Sequence, residues 1–285
     1  MERNHNIAVV VPVYKSAMTS DELLSFRQTI KVLGRYDIWI VCPQTLDTDS
    51  YRIEFPLLKV TTFSPDYFDG IAGYNRLMKS NKFYHRFLAY RYILICQLDA
   101  WVFADKLEYW AGLGYDYIGS PWFEHVEGKD WNVLKTDENG NYKLWKTGNG
   151  GLSLRKVQTF ETVTRRFQRT KTIVEIFTEE YHSLKDLGKC LLLCCGPLVG
   201  TNSMRHFINT HTRHVWEDAF FCIELTKTRF RMNIPSPEEA AFFSFECQPQ
   251  YLYEHVTKGE LPFGCHGWRK YQKDFWQQFI ENKKE

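Results

Sequence analysis

The stretch YILICQLD, residues 92–99, places an unbroken apolar run directly before Gln97 and Asp99. A continuous run of this length, with β-branched and aromatic residues, is typical of a strand buried on both faces of a parallel sheet. The carboxyl end of such a strand opens on the crevice where α/β proteins bind ligands. Asp99 is therefore predicted to face a ligand. The alternative is that it only accepts a hydrogen bond in the turn.

The residues before this strand predict further units of the same kind. Strands are expected at residues 7–13, 37–43 and 57–63. Helices are expected at residues 21–33, ended by Gly34, and at residues 70–89. The resulting order, β-α-β-β-α-β, indicates a mainly parallel sheet covered by helices.

The second half of the chain is less regular. Residues 129–146 predict an exposed loop or hairpin, because Asp137-Glu138-Asn139-Gly140-Asn141 is a turn sequence. Helices are expected at residues 158–193, with an interruption near Gly188, from residue 216 onward, and at residues 271–285. With no internal repeat and no linker, one domain with irregular additions is the simplest interpretation.

Composition limits the classes of partner. The formal net charge is +2, and the basic residues cluster only at Arg165, Arg166, Arg169 and Lys171, so nucleic-acid binding is not expected. We interpret this cluster as a solvated helix face, or alternatively as a contact with anionic lipid. Aromatic residues make up 16% of the chain, and they serve as core fillers or as platforms for sugar rings.

The cysteines and the N-terminus indicate a cytoplasmic protein. No secretory signal is visible, and the 8 cysteines lack zinc-type spacing, so they are expected to be reduced. The run from Cys190 to Val199 is too short to span a bilayer. It predicts a buried helix; the alternative is a patch that contacts the inner face of the membrane.

A glycine-rich segment, Gly148-Asn149-Gly150-Gly151, precedes an apolar strand at Leu152–Leu154. Glycines lack a Cβ, so a ligand or another segment can approach the backbone closely. The segment is not a Walker loop, because the Gly-Lys-Ser/Thr ending is missing. The alternative is a tight turn into the strand.

Two acidic residues, Glu217 and Asp218, follow Trp216 at the predicted start of a helix. Acidic residues in a first turn are favoured by the helix dipole, so capping alone would explain them. The functional interpretation is that a carboxylate at the rim of a site takes the proton of a hydroxyl group.

His266 lies between Gly264 and Gly267, which predicts a sharp turn. A neutral imidazole binds Mn²⁺ readily and could complete a site that has few protein ligands. The alternative is an ordinary loop histidine. Trp268 beside it is either a core residue or a sugar platform.

Taken together and in this order, these segments resemble the motifs of GT-A glycosyltransferases. Those motifs are an Asp-x-Asp after a central strand, a glycine-rich loop, an x-Glu-Asp sequence on a helix and a C-terminal metal-binding histidine. The stretches YILICQLDAWVF, DYIGSPW, GNGGLSLR, WEDAFF and PFGCHGW also look like those of an uncharacterised bacterial glycosyltransferase-like family. The resemblance covers roughly residues 7–268. It implies an α/β, GT-A (Rossmann-like) fold, with a central mainly parallel sheet flanked by helices in a single domain 1–285 with an irregular C-terminal half.

The resemblance also implies a function. A metal-dependent enzyme would move a sugar from a nucleotide-sugar donor, with UDP as the expected nucleotide, to a hydroxyl of a glycan or lipid-linked acceptor, in surface polysaccharide or glycan biosynthesis. About residues 1–105 would bind the nucleotide and about residues 106–285 the acceptor. The cation, Mn²⁺ or Mg²⁺, would be held by Asp99 and His266, while Gln97 replaces the first Asp of the motif.

The remaining roles follow from the same resemblance. Asp218, with Glu217, is expected to be catalytic, accepting the acceptor proton in an inverting displacement. The residues expected to meet the nucleotide sugar are Val13, Tyr14, Arg76, Gln97, Leu98 and Asp99. Those expected on the acceptor side are Trp122, Gly150, Gly151, Trp216 and Trp268. Alternatives are a retaining enzyme on the same fold, or a carbohydrate- or nucleotide-binding module without catalysis, which Gln97 keeps open.

Overall fold

A six-stranded sheet forms the centre of the protein. It is seen in a computed structural model that describes residues 4–127, 129, 133–168, 173–195, 216–227 and 231–280. The strands are β1 (Asn4–Pro12), β2 (Tyr36–Pro43), β3 (Lys59–Phe63), β4 (Tyr92–Cys96), β5 (Ala100–Val102), β6 (Tyr117–Ile118), β7 (Pro121–Phe123), β8 (Leu144–Thr147), β9 (Leu152–Lys156), β10 (Ser244–Phe245) and β11 (Gly264–His266). The order in the central sheet is β3-β2-β1-β4-β9-β6. Within this sheet β9 alone runs against its neighbours, so the predicted mainly parallel sheet is confirmed.

Helices flank the sheet. They are α1 (Ser20–Leu33), α2 (Asp49–Glu54), α3 (Gly70–Met78), α4 (Asn81–His85), α5 (Leu107–Gly112), α6 (Val157–Gln168), α7 (Ile173–Glu180), α8 (Leu187–Cys195), α9 (Glu217–Ala219), α10 (Pro237–Phe243), α11 (Pro249–Tyr251) and α12 (Lys273–Ile280). Short 3₁₀ turns lie at Pro65–Phe68, Leu184–Asp186 and Leu225–Lys227, and π-helical turns lie at Phe220–Glu224 and Leu252–Val256.

The apolar runs of the sequence are explained by burial of the sheet on both faces. In β1, Val9 and Val11 pack in one hydrophobic cluster, together with Phe26 of α1. Val10 packs in the cluster on the other face, together with Phe83 of α4. Since each fully buried aliphatic side chain contributes roughly 1.5–3 kcal/mol, a strand with no polar face is stable only in the middle of such a layered structure.

The start of α1 is fixed by local polar chemistry. The Thr19 side chain accepts a hydrogen bond from the Glu22 backbone N–H (3.3 Å), and the Glu22 carboxylate accepts one from the Thr19 N–H (2.7 Å). This reciprocal capping box satisfies two N–H groups that the helix leaves without partners. The helix ends at Leu33, before Gly34, as predicted.

Several helix predictions are corrected. The helix expected at residues 70–89 is two helices, because the Ser80 side chain caps the start of α4 by accepting from the Phe83 N–H. The short helix α2, between β2 and β3, was not predicted. Gly188 lies inside α8, and the interruption that was expected there falls instead at residues 181–183.

The residues after the central strands confirm one prediction and correct another. The turn-rich region around residue 137 is a hairpin, in which β7 pairs with β8.

The predicted buried helix at Cys190–Val199 is wrong for Leu191 and Leu192, which are exposed, whereas Cys190 is buried. Residues 196–199 lie outside the described residues. Of the predicted basic cluster, Arg165 is exposed and Arg166 is buried, so the interpretation as a solvated face does not hold for Arg166; Arg169 and Lys171 lie outside the described residues. None of the helices in the described residues is long and apolar enough to cross a membrane.

A smaller three-stranded sheet, ordered β10-β11-β5, lies beside the end of β4. β10 runs parallel to β11, with Phe245 opposite Cys265. β11 runs antiparallel to β5, with His266 opposite Ala100. The two pairings therefore place residues 100–102, 244–245 and 264–266, which are far apart in the sequence, side by side in one sheet.

Candidate active site

A cavity of about 670 Å³ lies beyond the carboxyl ends of β1 and β4. Pro12 and Tyr14 line it at the end of β1, and Gln97, Leu98 and Asp99 line it at the end of β4. Its volume is within the range of roughly 300–1,000 Å³ typical of small-molecule sites. The position, outside the carboxyl ends of parallel strands, is where open α/β sheets bind ligands.

Asp99 and His266 meet at one wall of this cavity. His266 Nε2 lies 3.2 Å from Asp99 Oδ1 and 3.1 Å from Gln97 Oε1. The pairing of β11 with β5 holds them there, because His266 is opposite Ala100 and the Gly267 N–H donates to the Asp99 carbonyl (3.0 Å). The three side chains that the motif resemblance grouped are thus in contact.

A second acidic residue, Glu246, completes this wall and was not predicted from the sequence. Its Oε1 lies 3.1 Å from His266 Nδ1. Burial by itself would lower the pKa of His266, but the charges and hydrogen bonds of Glu246 and Asp99 outweigh it and raise that pKa to about 10. Burial also opposes ionisation of Asp99, yet the hydrogen bond from His266 holds the pKa of Asp99 below its usual range.

The glycine-rich loop allows these groups to converge. A Cβ on Gly151 would lie closer than 3.0 Å to the His266 imidazole, and one on Gly150 would lie equally close to Glu217 Oε1. Real Cβ atoms do not tolerate such distances, so an alanine at either position would force His266 or Glu217 to move. The sequence allowed two explanations of this loop, close approach of another segment to its backbone or a tight turn into the strand. At Gly150 and Gly151 the close approach of Glu217 and His266 is the better explanation.

Asp218 lines the same cavity. Its Oδ2 accepts a hydrogen bond from the Gly150 N–H (3.1 Å), and its Oδ1 accepts one from the Ala219 N–H (2.7 Å). Burial, followed by the neighbouring charge of Glu217, raises the pKa of Asp218 to about 7. A carboxyl group with such a pKa exchanges protons near neutral pH, as a general base must.

Glu217 has a different environment. Its Oε1 accepts a hydrogen bond from Arg155 Nη2 at 2.7 Å, and both side chains are almost completely buried. Arg155 also donates to the Tyr84 hydroxyl (2.9 Å) and to Ser153 Oγ (3.0 Å). The Glu217 backbone N–H donates to Asn75 Oδ1 (2.7 Å). Glu217 therefore balances the charge of a buried arginine at the cavity lining, and its catalytic role stays a prediction.

The wall formed by Asp99, His266 and Gln97 fits a divalent cation that takes part of its ligands from elsewhere. Oxygen and nitrogen donors about 3 Å apart suit adjacent positions on an ion with bonds of about 2.0–2.1 Å. Glu246 on the far nitrogen is the partner that a metal-bound imidazole usually has. Within the described ranges, no group of three or more His, Cys, Asp or Glu side chains is arranged to hold a metal, so phosphate or water oxygens would have to complete the coordination.

The structure removes some of the predicted contact residues from the cavity. Val13 is fully buried in the core, and its neighbours Pro12 and Tyr14 line the cavity instead. Trp268 is 1% exposed and donates through its indole N–H to Ser25 Oγ, so it is a core residue rather than a sugar platform. Arg76 lies on the outside of α3, where it donates to the Asp66 carbonyl (2.6 Å).

Two tryptophans on the predicted acceptor side differ in position. Trp216 is 63% exposed and lines the cavity next to Glu217. Trp122 is half-buried on β7, where its ring lies against Gly148 and leaves no room for a Cβ there. Trp122 therefore supports the glycine-rich loop from outside and is not among the residues that line the cavity.

Sequence reasoning missed three groups that the site uses. Glu246 follows a strand of two residues, which is too short to show a period. Arg155 was quoted as part of the glycine-rich segment, but its pairing with Glu217 depends on contacts 62 positions apart. Asn75 lies on a helix face whose polar residues carry no distinguishing pattern.

Among the solved structures similar to this one are three glycosyltransferases. Mannosyltransferase PcManGT from Pyrobaculum calidifontis, solved with GDP-Man and Mn²⁺, is 15% identical over 55% of this chain and 46% of its own, with a TM-score of 0.33. Glycosyltransferase GlyE of Streptococcus pneumoniae TIGR4 is 10% identical over 94% of this chain and 54% of its own, with a TM-score of 0.41. Mouse xyloside xylosyltransferase 1 is 10% identical over 91% of this chain and 96% of its own, with a TM-score of 0.45.

The chain spans about half the length of the first two of these proteins. With TM-scores below 0.5, their substrates and mechanisms do not carry over to this chain. No curated protein sequence matches it. Residues 57–266, well over half of the chain, match the family described as "Protein of unknown function (DUF5672)". The match includes Asp99, Asp218, Glu246 and His266, and the chain belongs to this family.

Proposed function

We propose that this protein is a glycosyltransferase that moves a sugar from a nucleotide-sugar donor to an acceptor hydroxyl with the help of a divalent cation. One observation carries the proposal. Asp218, whose pKa is raised to about 7, and the Asp99–His266 pair line the same cavity beyond the carboxyl ends of β1 and β4. A proton acceptor and a cation-binding wall facing one ligand-sized space are what such a transfer requires.

The donor side is the wall formed by Gln97, Asp99 and His266. These side chains would hold Mn²⁺ or Mg²⁺ together with the diphosphate of the donor. When bound, the cation would offset negative charge that develops on the departing nucleoside diphosphate. Tyr14 is exposed after the end of β1 and lines the cavity, and it would contact the nucleoside. UDP is the nucleotide that the motif resemblance implies.

The acceptor side contains Asp218. Backbone N–H groups of Gly150 and Ala219 each bind one of its oxygens, which fixes the direction of the carboxylate while leaving lone pairs for a further hydrogen bond. The acceptor hydroxyl gives its proton to Asp218 as its oxygen bonds to the anomeric carbon. The bond from that carbon to the phosphate oxygen breaks, and its electron pair leaves with the diphosphate. A single displacement of this kind inverts the anomeric configuration.

Trp216 provides an apolar surface at the cavity rim. It directly precedes Glu217 and Asp218, so a sugar ring lying on its face would be held near the proton acceptor. Flat aromatic surfaces of this kind are suited to sugar rings. A glycan or a lipid-linked glycan is the acceptor we propose, in the synthesis of surface polysaccharide or another glycan.

Turnover of a panel of nucleotide sugars in the presence of Mn²⁺ tests the proposal, with release of nucleotide as the measurement. We expect Asp218→Asn to lower turnover at least 100-fold, because general base catalysis contributes typically 10²–10⁴-fold. Donor binding, followed as a rise in melting temperature, should persist in this variant. Asp274→Asn, at an exposed carboxyl in the first turn of α12, is the matched control and should behave as wild type.

Three outcomes separate the alternatives. Unchanged turnover in Asp218→Asn removes this residue from the mechanism. A product with retained anomeric configuration, seen by NMR, indicates a retaining enzyme on the same fold. Binding of nucleotide sugar without hydrolysis or transfer, across a broad set of acceptors, indicates a binding module without catalysis.

A further inference from the structure

The small sheet β10-β11-β5 sets three polar side chains in a row. Phe245 is opposite Cys265 in the parallel pair β10–β11, so the next residues on the two strands are Glu246 and His266. His266 is in turn opposite Ala100 in the antiparallel pair β11–β5, next to Asp99. Glu246 directly follows β10 and Asp99 directly precedes β5, so a carboxylate, an imidazole and a second carboxylate lie side by side at this end of the sheet. Each contact in the row spans 3.1–3.2 Å.

The two nitrogens of His266 face different surroundings. Nε2 faces Asp99 and Gln97 at the cavity wall, whereas Nδ1 faces Glu246. An imidazole ring can turn about its χ2 torsion, which would exchange the positions of nitrogen and carbon atoms. Gly151 leaves just enough room for the ring but offers no side chain that could hold it. Glu246 fixes the Nδ1 side of this orientation, because its carboxylate accepts a hydrogen bond from Nδ1 and not from a carbon, while Asp99 and Gln97 face Nε2 on the other side.

We propose that Glu246 is a positioning residue, which holds His266 with Nδ1–H bound to its carboxylate so that Nε2 is presented to a divalent cation beside Asp99. This inference rests on the proposed function, since it assumes that the wall binds the cation of the donor complex. The sequence motifs give Glu246 no role. Its part is indirect, through the orientation and basicity of the histidine, in the way that outer carboxylates act on metal-bound imidazoles.

The position of Glu246 is specific enough to make the role testable. Glu246 is largely buried and lines the cavity, so its charge is placed next to His266 in a region that water reaches poorly. Replacing it with Gln keeps the length and shape of the side chain but removes the charge. Glu254 is the matched control: it is an exposed carboxylate nearby in the sequence, with a hydrogen bond from the Gln250 amide (2.9 Å) and no part in the cavity.

The experiment measures Mn²⁺ affinity of the full chain by electron paramagnetic resonance, without and with UDP. We expect Glu246→Gln to weaken Mn²⁺ binding about 10–100-fold, the usual effect of losing an outer partner of a metal-bound histidine. Glu246→Asp, which keeps the charge on a shorter side chain, should recover part of the loss. Glu254→Gln should bind Mn²⁺ as wild type does. His266→Ala gives the reference affinity for Mn²⁺ of a site that lacks the imidazole.

A second readout does not involve the metal. In histidine-labelled protein, the Nδ1 proton of His266 should give a hydrogen-bonded NMR signal in wild type, and this signal should shift upfield in Glu246→Gln, because a neutral amide oxygen is a weaker acceptor than a carboxylate. Thermal unfolding shows which variants are folded, and the comparison of Glu246→Asp with wild type remains decisive if Glu246→Gln does not fold.

Each outcome bears on the inference. Equal Mn²⁺ affinity of wild type and Glu246→Gln, with a clear loss in His266→Ala, overturns the role of Glu246 and leaves the proposed function standing. Absence of Mn²⁺ binding to wild type, with and without UDP, overturns both. The expected loss in Glu246→Gln, in a protein that transfers no sugar, supports the positioning role and counts against the proposed function alone.

Discussion

The buried pair between Arg155 and Glu217 provides the sharpest prediction on stability. Its nitrogen and oxygen are 2.7 Å apart, and the two side chains are 0% and 4% exposed. Glu217→Gln removes one charge and leaves the other buried without a counter-charge. Removing one partner of such a pair costs about 3–5 kcal/mol. Because Arg155 keeps its hydrogen bonds to Tyr84 and Ser153, we expect a loss near the lower end, about 3 kcal/mol in the free energy of unfolding.

The measurement is urea denaturation together with thermal unfolding. At about 2–4 °C per kcal/mol for a domain of this size class, the melting temperature should fall by about 6–12 °C. The denaturant midpoint should fall while the m-value stays the same, since the surface exposed on unfolding does not change. The double variant Arg155→Met/Glu217→Gln should regain much of the loss, because no unpaired charge remains in the core.

A second ion pair serves as control. Arg27 and Glu54 are 2.6 Å apart, almost the same distance, but their side chains are 60% and 42% exposed. Glu54→Gln should therefore cost no more than about 1 kcal/mol. If Glu217→Gln costs as little as Glu54→Gln does, then burial does not control the strength of these pairs, and the reasoning is refuted.

Four further predictions concern the cavity. Turnover should rise as pH increases through about 7, because the Asp218 carboxyl must lose its proton before it can accept another; a profile without this step would exclude Asp218 as the base. The pKa of Asp218 is 3.8 in the unfolded chain and about 7 in the folded protein, so between these values the unfolded chain has lost a proton that the folded protein still holds. The free energy of unfolding should therefore fall as pH rises through this window, by up to about 4 kcal/mol. Urea denaturation between pH 4 and 8 should show this fall in wild type, and Asp218→Asn should lack the part that Asp218 contributes. Gly151→Ala should weaken Mn²⁺ binding at least 10-fold in the same resonance assay, because its Cβ displaces His266; wild-type affinity would show that the ring has room to move. Trp216→Ala should raise the KM for acceptor several-fold and change the melting temperature by less than about 2 °C, since the ring is mostly exposed; an unchanged KM would remove the platform.

The fold was predictable where burial leaves a direct trace in the sequence. The strands β1, β2 and β4 contain long apolar runs that are buried on both faces, and the end of β4 at Cys96 is marked by the change to the polar residue Gln97. The short helix α2 was missed because six residues are too few to establish a helical period. The division between α3 and α4 depends on one serine cap, which a pattern of apolar residues does not contain.

The site was predictable only in part, for a related reason. Asp99 and Asp218 are recognisable because each follows or begins a regular element, which gives it a definite place at the edge of the sheet. The tryptophans show the opposite case. Trp216 and Trp268 have the same composition-based interpretation, yet one is exposed at the cavity and the other is buried in the core. The difference depends on what packs against each ring, and that is a property of the folded chain.

Glu246 illustrates the limit most clearly. No spacing relates it to His266, because the two residues are joined by the pairing of two short strands and not by a period along the chain. The pairing of β11 with β5 places His266 beside Asp99, so that one small sheet determines which side chains meet at the cavity wall. A substitution that weakens this sheet should therefore affect Asp99, His266 and Glu246 together.

Gly264 is a position where a substitution would weaken the sheet: a Cβ there would meet the Trp101 carbonyl of β5 and the side chain of Leu152 at less than 3.0 Å. We expect Gly264→Ala to separate β11 from β5 and to lower Mn²⁺ affinity as much as His266→Ala does, although Gly264 itself does not line the cavity. Wild-type Mn²⁺ affinity in a folded Gly264→Ala protein would show that the strand pairing does not hold the wall together.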